Sequence, residues 1–324
     1  MATRRSILSG MALVPLAARV ARAQPAAWKP NHPVRLVVPF APGGLTDILA
    51  RQAAEPLAPR LGQTVVVENR GGAGGNLAAE AVARAAPDGH ALLVGTQGIL
   101  EINKALYARL GYDPDADFVP LGMLAQQPNL LVARAGSYAS LAEALAAARG
   151  RSGGLSYGSN GAGSFTHLSM ELLRSLTGAE MTHVPYRGSA PMLTDLVAGN
   201  LDIAFDALGT SLPQVRAGAL RALAVSSAAR SPLLPEVPSV AETVPGFDAT
   251  PWYGVFGTAA TPPEILAALE LALQAVLTDP AWARILSDRQ ADPLPGDRAA
   301  LTARIGQERE VWREVVRRTG VRAD

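Results

Sequence analysis

The chain has 324 residues, no cysteine, and almost balanced charge, with 29 Lys and Arg against 28 Asp and Glu. A chain of this length predicts two domains whose cores are large enough to fold unaided, and the lack of cysteine excludes disulfides and thiol chemistry. The even charge argues against a nucleic-acid partner, because nucleic-acid binders carry a basic excess.

The first 23 residues have the pattern of a cleavable export signal, so we expect a periplasmic protein. Arg4 and Arg5 precede an apolar stretch over residues 7–18, and Ala21-Arg22-Ala23 matches an A-x-A cleavage site. The stretch is shorter than the ~20 residues of a membrane span. The paired arginines fit both a twin-arginine signal and an ordinary secretory signal, and both routes stay open. Cleavage would remove four arginines and no acid, which changes the balance to 25 basic against 28 acidic residues, a net charge of −3.

The next hundred residues alternate between strand and helix patterns. Pro56 lies inside the first helix, where we expect a kink or an early end. Strands alternating with helices predict an α/β fold with a parallel sheet. The predicted elements are strand 34–40, helix 46–60, strand 64–68, helix 76–84 and strand 91–95.

The same alternation recurs later in the chain and predicts a second α/β domain. Its elements are strand 130–133, helix 140–149, strand 155–157, helix 164–177, strand 182–184, helix 190–198, and strands 203–205 and 222–225. A last strand, 252–257, and two long helices, 263–277 and 298–318, follow. We expect this tail to return to the first domain, with crossings near 124–129 and 247–253. Domain 1 would then be 24–125 plus 249–324, and domain 2 would be 126–248.

Two glycine-rich turns each follow a short apolar strand and lead into a helix. They are residues 41–47, Ala-Pro-Gly-Gly-Leu-Thr-Asp, and residues 158–164, Gly-Ser-Asn-Gly-Ala-Gly-Ser. Each turn directs backbone N–H groups, including those of Gly161 and Gly163, and a helix dipole at one point, which favours an anion. Ligands of parallel sheets bind at the carboxyl ends of strands, so the turns should face each other across a cleft. The sequence therefore predicts a clamp for a small acidic molecule.

For some candidate side chains, the sequence allows both a structural role and a ligand contact. Ser164 fits a helix N-cap as well as a ligand contact, and both can hold together. Asp47 fits a cap or a loop support better than a contact to an anion. Asp206 ends a predicted strand, where it could accept a hydrogen bond from a ligand or cap the next helix. Thr96 and Gln97 also follow a strand and should line the cleft.

Metal and nucleotide sites find little support. His167 and Glu171 are one helical turn apart, but no third ligand has suitable spacing, so we expect a helix-surface or cap-supporting pair and no metal. The chain has two lysines, and neither follows a glycine loop in the way an ATP-binding loop requires. We expect no cofactor.

Several segments together resemble the extracytoplasmic solute-binding proteins of tripartite tricarboxylate transporters, also called the Bug family. The resemblance covers nearly all of the chain after residue 23. It rests on segments 34–47, 66–76, 86–90, 157–164, 183–191 and 205–206, whose order and number make it specific. Leu100 and Glu101 depart from the commoner small, Ser/His-containing version of segment 95–103.

The resemblance implies a type II-like, two-domain periplasmic binding fold with mainly parallel sheets and a ligand cleft between the domains. It implies ligand contacts in the first turn, in the second turn, and at an acid in the position of Asp206. With the residues placed by strand ends, the predicted ligand-binding set is Phe40, Ala41, Gly43, Gly44, Asp47, Thr96, Gln97, Ser159, Gly163, Ser164, Tyr186 and Asp206.

The predicted function is capture of a small carboxylate or amide-type metabolite and its delivery to membrane permease subunits. We expect a monomer that is not an enzyme and has no nucleic-acid partner. One alternative is a sensor that passes its closed form to a membrane signalling partner. A remote alternative is a secreted hydrolase or lyase that uses Asp206 or His183, although no nucleophile and base have the context such chemistry needs.

Overall fold

The computed structural model describes residues 28–292 and 296–323. The predicted signal peptide lies outside the described residues. The strands are β1 Val34–Val38, β2 Val65–Asn69, β3 Ala91–Thr96, β4 Phe118–Gln126, β5 Asn129–Arg134, β6 Leu155–Ser159, β7 Met181–Pro185, β8 Ile203–Ala207, β9 Leu220–Val225 and β10 Trp252–Thr258. The α-helices are α1 Leu45–Leu61, α2 Asn76–Ala83, α3 Asn103–Leu106, α4 Leu141–Gly150, α5 Phe165–Thr177, α6 Ser189–Ala198, α7 Leu208–Arg216, α8 Pro263–Leu277, α9 Pro280–Asp288 and α10 Arg298–Thr319.

The strands form two five-stranded sheets with equivalent topology. The first sheet has the order β2-β1-β3-β10-β4 and the second β7-β6-β8-β5-β9. In each sheet four strands point the same way, and one strand, β10 or β5, runs antiparallel between two of them. The predicted α/β class with mainly parallel sheets is therefore confirmed, and the one antiparallel strand makes each sheet mixed.

Proline placement accounts for two differences from the predicted elements. Helix α1 continues past Pro56 to Leu61 and ends at Gly62, which has φ 68°. Burial of Leu49, Ala53 and Leu57 against the sheet offsets the cost of an interior proline, ~3 kcal/mol. Strand β4 contains Pro120 and was not predicted; it lies at a sheet edge, where the missing N–H is tolerated.

Six other elements in the described residues were missed because they are short or lack a clear apolar period. They are α3, α7, α9, a π-helical turn at Gly98–Ile102, and 3-10 turns at Ala73–Gly75 and Val240–Glu242.

The chain passes between the two sheets through neighbouring segments. Residues 127–128 join β4 to β5, and the chain returns before β10. The two crossings lie side by side, because the Gln127 N–H donates to the Pro251 carbonyl at 3.0 Å. Paired crossings of this kind allow two units to move as rigid bodies about a hinge.

Helix α10 packs against both sheets. Leu301 and Ile305, near its start, join a core cluster of the first sheet, whereas Trp312 and Val316 belong to the core of the second. The Trp312 ring packs on Phe165 of α5 with centroids 5.0 Å apart. The C-terminal helix therefore links the two units beyond the crossings.

Within residues 28–292 and 296–323, no single helix has the length and apolar character to cross a membrane. Helices α8 and α9 meet that test only as a pair, and they are bent by 67° relative to each other. Leu266 and Leu273 of α8 and Trp282 of α9 are buried in the core of the first sheet.

Candidate functional site: a cavity between two glycine turns

A cavity of about 450 Å³ lies where the carboxyl ends of strands from both sheets meet. Both glycine turns reach it, as the sequence predicted. Its wall comprises Phe40, Thr46, Gly74, Thr96, Gln97, Gly98, Ile102, Asn103, Leu106, Tyr107, Asn160, Gly161, Ala162, Gly163, Ser164, Phe165, Pro251, Trp252, Tyr253 and Ala323. A groove of similar volume between α6 and α7 is lined from one unit alone, by residues such as Leu193 and Thr210.

Helix α5 begins at the cavity, and no acidic side chain in its first turn offsets the positive end of the helix dipole. Ser164 is its N-cap and accepts from the His167 N–H at 3.2 Å. No acid lies in the first turn, so the partial positive charge of the helix end is not neutralised there. The N–H groups of Phe165 and Thr166 lack intrahelical partners because they start the helix. This end of the cavity is suited to an anion.

The second turn itself uses some of the groups that the sequence assigned to the ligand. The Gly161 N–H donates to Ser159 Oγ at 3.2 Å, and the Gly163 N–H donates to His167 Nδ1 at 3.1 Å. In this structure both N–H groups are therefore engaged within the turn, and their contact with a ligand stays a prediction. The turn brings a side-chain acceptor within hydrogen-bonding distance of each N–H group, so both are bonded inside the protein.

The first turn is closed in a different way. The Asp47 carboxylate accepts from the Gly43 N–H at 3.0 Å, from Arg51 Nε at 3.1 Å and from Asn69 Nδ2 at 3.0 Å. The Arg51 hydrogen bond is the largest influence holding the pKa of Asp47 below its usual value. The acid supports the loop, as its position predicted, and its charge offsets the pole of α1. Of the two helix ends, that of α5 is thus the better anion site.

A histidine pair lies behind the second turn. The rings of His167 and His183 stack with centroids 3.8 Å apart, and Ser159 Oγ lies 2.7 Å from His183 Nε2. Burial lowers the pKa of each histidine to about 4. Glu171 pairs with Tyr157 and Arg174. Both side chains are buried, so a helix-surface pair is not what the structure shows. The cap-supporting alternative agrees with His167, whose Nδ1 accepts from the Gly163 N–H in the turn before α5.

Gln97 connects the cavity wall to α10. Its amide donates to the Glu308 carboxylate, which also accepts from Trp252 Nε1 at 3.3 Å. Close by, Glu101 is 1% exposed, and neither carboxylate oxygen has a hydrogen-bond partner among the described residues. Burial, reinforced by the charge of Glu308, raises the pKa of Glu101 well above its usual value.

The predicted site residues divide into two groups in the structure. Phe40, Thr96, Gln97, Gly163 and Ser164 line the cavity. Ala41, Gly43, Gly44, Asp47, Ser159, Tyr186 and Asp206 lie outside its wall.

Three side chains of the second group are engaged with protein partners. Ser159 contacts His183, and Tyr186 donates to Asp195 at 2.7 Å. Asp206 is buried and accepts from Ser189 and Thr210, each at 2.5 Å. Burial raises the pKa of Asp206, although both hydrogen bonds act to lower it.

Sequence reasoning missed most of the aromatic wall. Tyr107, Phe165, Trp252 and Tyr253 line the cavity but carry no site pattern in the sequence. A strand was predicted to start at Trp252. This prediction was the one signal that could have placed Trp252 and Tyr253 at the cleft. No described residue of the wall carries a charge.

Two mixed α/β sheets, joined by adjacent crossings and enclosing a cavity at their strand ends, define the class of two-domain solute-binding proteins. A family model described as "Tripartite tricarboxylate transporter family receptor" matches residues 49–321, and the chain belongs to this family. Because the family and its solved members are solute-binding receptors, the expectation that the protein is not an enzyme is confirmed.

Relatives and solved structures support the assignment over about 90% of the chain. Protein BugT of Bordetella pertussis is 35% identical over 296 residues, covering 90% of this chain and 91% of BugT. An R. palustris protein solved with adipate is 39% identical, with a TM-score of 0.75, covering 90% of this chain and 99% of that one. MatC from Rhodopseudomonas palustris with bound malate is 36% identical, with a TM-score of 0.70, covering 89% and 99%.

Proposed function

We propose that the protein is a periplasmic receptor that captures a small carboxylate or related metabolite and delivers it to tripartite permease subunits. The export pattern of the first 23 residues supports the location, and the family supports the permease partner. Similar proteins solved with adipate and malate support a carboxylate ligand. We propose that it acts as a monomer.

The acid-free start of α5 at the cavity is the observation that carries this proposal. A carboxylate placed there gains the N–H groups of the first helical turn, the Ser164 hydroxyl and bridging water. No described wall residue is charged, so a second or third carboxylate would have to be satisfied by dipoles alone. The wall therefore favours ligands with one or two carboxylates over a compact trianion.

The rest of the wall sets the proposed shape of the ligand. Phe40, Tyr107, Trp252 and Tyr253 offer apolar area for a carbon skeleton, while Thr96 and Gln97 offer hydrogen bonds. We propose that these groups give specificity, because a ligand that leaves them unpaired is rejected. Ala41, Gly43, Gly44, Asp47, Ser159, Tyr186 and Asp206 would then contact ligand through water or after closure.

Closure would bring the two units together around the ligand. We propose boundaries at residues 24–125 plus 249–324 and 126–248, since β1–β4 and β10 form one sheet and β5–β9 form the other. Bending at residues 127 and 251 would shut the cavity, and α10 would have to slide or flex because it contacts both units.

The test is native mass spectrometry of exported protein, followed by thermal-shift titration after bound ligand is removed. The panel compares mono-, di- and tricarboxylates of similar size and their amides, and NMR checks whether each hit is consumed. We expect a mono- or dicarboxylate to raise the melting temperature and remain intact. Conversion of a hit to product, or no response to any acid, would overturn the proposal.

A further inference from the structure

Three potential metal ligands meet at the amino ends of strands in the first sheet, whereas the cavity lies at the carboxyl ends. His32 precedes β1, His90 precedes β3, and Asp88 lies in the turn between α2 and β3. Because β1 and β3 pair in parallel, with the Arg35 N–H donating to the His90 carbonyl at 2.8 Å, the segments before them lie side by side. One ligand atom from each of the three side chains lies within 4.8 Å of the others.

The imidazole of His90 gives a second, independent indication. His90 is 7% exposed, and neither ring nitrogen has a hydrogen-bond partner among the described residues. The Trp28 ring meets it edge-on at 5.7 Å, and the His32 ring stacks on it at 3.6 Å. The Nδ1 atom of this ring has Asp88 Oδ1 at 3.2 Å but no well-aligned hydrogen bond, which is unfavourable for a buried nitrogen, and a metal ion bound at Nδ1 would satisfy it.

We propose that His32, Asp88 and His90 bind a divalent transition-metal ion of the zinc type. His90 Nδ1 lies 3.2 Å from Asp88 Oδ1. Two ligands of a tetrahedral ion at bond lengths of ~2.0–2.1 Å are themselves about 3.4 Å apart, so this edge of the site is already formed. Two imidazoles and a carboxylate suit zinc, nickel or copper, whereas magnesium and calcium prefer oxygen ligands alone.

His32 completes the site by a side-chain rotation. It is exposed, so its ring can turn out of the stack with His90 and direct a nitrogen at the ion. The fourth position would face solvent and hold water, as in open three-ligand sites. The ion would fasten the segment before β1 to the start of β3.

The proposed ion does not touch the solute. The cavity receives the carboxyl ends of β1 and β3, and these strands separate it from the histidines by roughly 17 Å, the length of a five-residue strand. The ion therefore stabilises the folded protein by mass action, in proportion to its affinity for the folded state alone.

Isothermal titration of tag-free full-length protein with zinc chloride, with magnesium chloride as the negative comparison, tests this site. Background binding is small because the chain has no cysteine and four histidines. The other two, His167 and His183, already have ring contacts to Gly163 and Ser159. We expect one zinc ion per chain, a higher melting temperature with zinc, and reversal by EDTA.

His32→Ala and Asp88→Asn should each weaken zinc binding at least about tenfold. Asp288→Asn, which changes an exposed acid elsewhere, should leave binding unchanged. Melting in EDTA checks that each variant folds, and His32→Ala removes only an exposed side chain. Zinc binding that survives His32→Ala, or no zinc binding by the parent protein, would overturn the proposal.

Discussion

The side-chain amide of Gln97 on the cavity wall donates a hydrogen bond to the carboxylate of Glu308 on α10. Trp252, another wall residue, donates to the same carboxylate. The cavity and the helix that contacts both units therefore share one partly buried acid. Glu101 lies beside this acid, and the charge of Glu308 adds to burial in raising the pKa of Glu101.

Glu101→Gln should make the protein more stable at high pH. Burial raises the pKa of Glu101, so the folded state keeps a proton that the unfolded chain releases above its ordinary value near 4.5. Stability contributed by this group therefore falls as pH rises. A permanently neutral amide removes the loss, so we expect a gain of about 1–2 kcal/mol at pH 8 and little change at pH 4.5. Urea unfolding at both values measures it.

The control for this change is Glu310→Gln, which alters an exposed glutamate on α10. It should change stability by less than about 0.5 kcal/mol at either pH. Equal effects of the two substitutions at pH 8 would contradict a buried neutral Glu101.

His167→Asn should flatten the acid side of the stability profile. The pKa of His167 is about 4 in the folded protein against 6.5 ordinarily, so between these values the unfolded chain binds a proton that the folded one does not. Stability therefore falls as pH drops from 6.5 to 4. Asn keeps an acceptor for the Gly163 N–H but cannot titrate. We expect a lower overall stability with a shallower slope, measured by thermal unfolding across this range.

The pKa of His183 is lowered in the same way, so His183 also reduces stability as pH drops. It should account for the pH dependence of stability that remains in His167→Asn. His32→Asn, measured in EDTA, is the comparison variant because that histidine is exposed. An unchanged slope in His167→Asn would show that the buried pair does not control acid sensitivity.

Ser164→Ala should weaken ligand binding as well as the start of α5. Ser164 caps the helix and lines the cavity, so its hydroxyl serves both roles. We expect a stability loss of ~1 kcal/mol and an affinity loss of about fivefold to tenfold for the carboxylate identified in the screen. Chemical unfolding and isothermal titration separate the two effects.

Ser140→Ala provides the comparison, since Ser140 caps α4 by the same side-chain contact, to the Glu143 N–H, away from the cavity. It should cost similar stability and leave affinity unchanged. If both variants bind ligand as the parent does, Ser164 does not contact the solute.

Gly154→Ala, just before β6, should strongly lower the stability of the folded protein. Gly154 has φ +65°, and a Cβ there would lie 1.8 Å from the Glu180 carbonyl oxygen, which already accepts from the Leu155 N–H. Relief requires moving backbone at the start of two paired strands, so we expect a loss of more than ~3 kcal/mol. Thermal unfolding measures it.

The adjacent Gly153 is a control that separates the cost of backbone strain from the cost of a steric clash. It has φ +80°, but no described heavy atom lies within 4 Å of an added Cβ. Gly153→Ala should cost only the ~1–2 kcal/mol of a left-handed alanine. Similar losses for both variants would show that backbone strain, not the Glu180 contact, sets the cost.

The sequence by itself determined the alternation of elements and the location of both glycine turns. Apolar runs such as 91–95 and amphipathic stretches such as 164–177 depend on local periodicity, which is visible without a fold. Asp47 as a loop support also followed from its position in the first turn of α1. The family motifs predicted the solute-binding class that the comparisons confirmed.

Only the tertiary structure decided which groups line the cavity and which are engaged elsewhere. The N–H groups of Gly43 and Gly163 are taken by Asp47 and His167, and such competition depends on side-chain reach in three dimensions. The aromatic wall and the Glu101–Glu308 pair join residues some two hundred positions apart, on elements that carry no shared local signal. Local periodicity encodes which face of an element is buried, whereas the partner of each buried polar group is fixed by how the two sheets and α10 pack together.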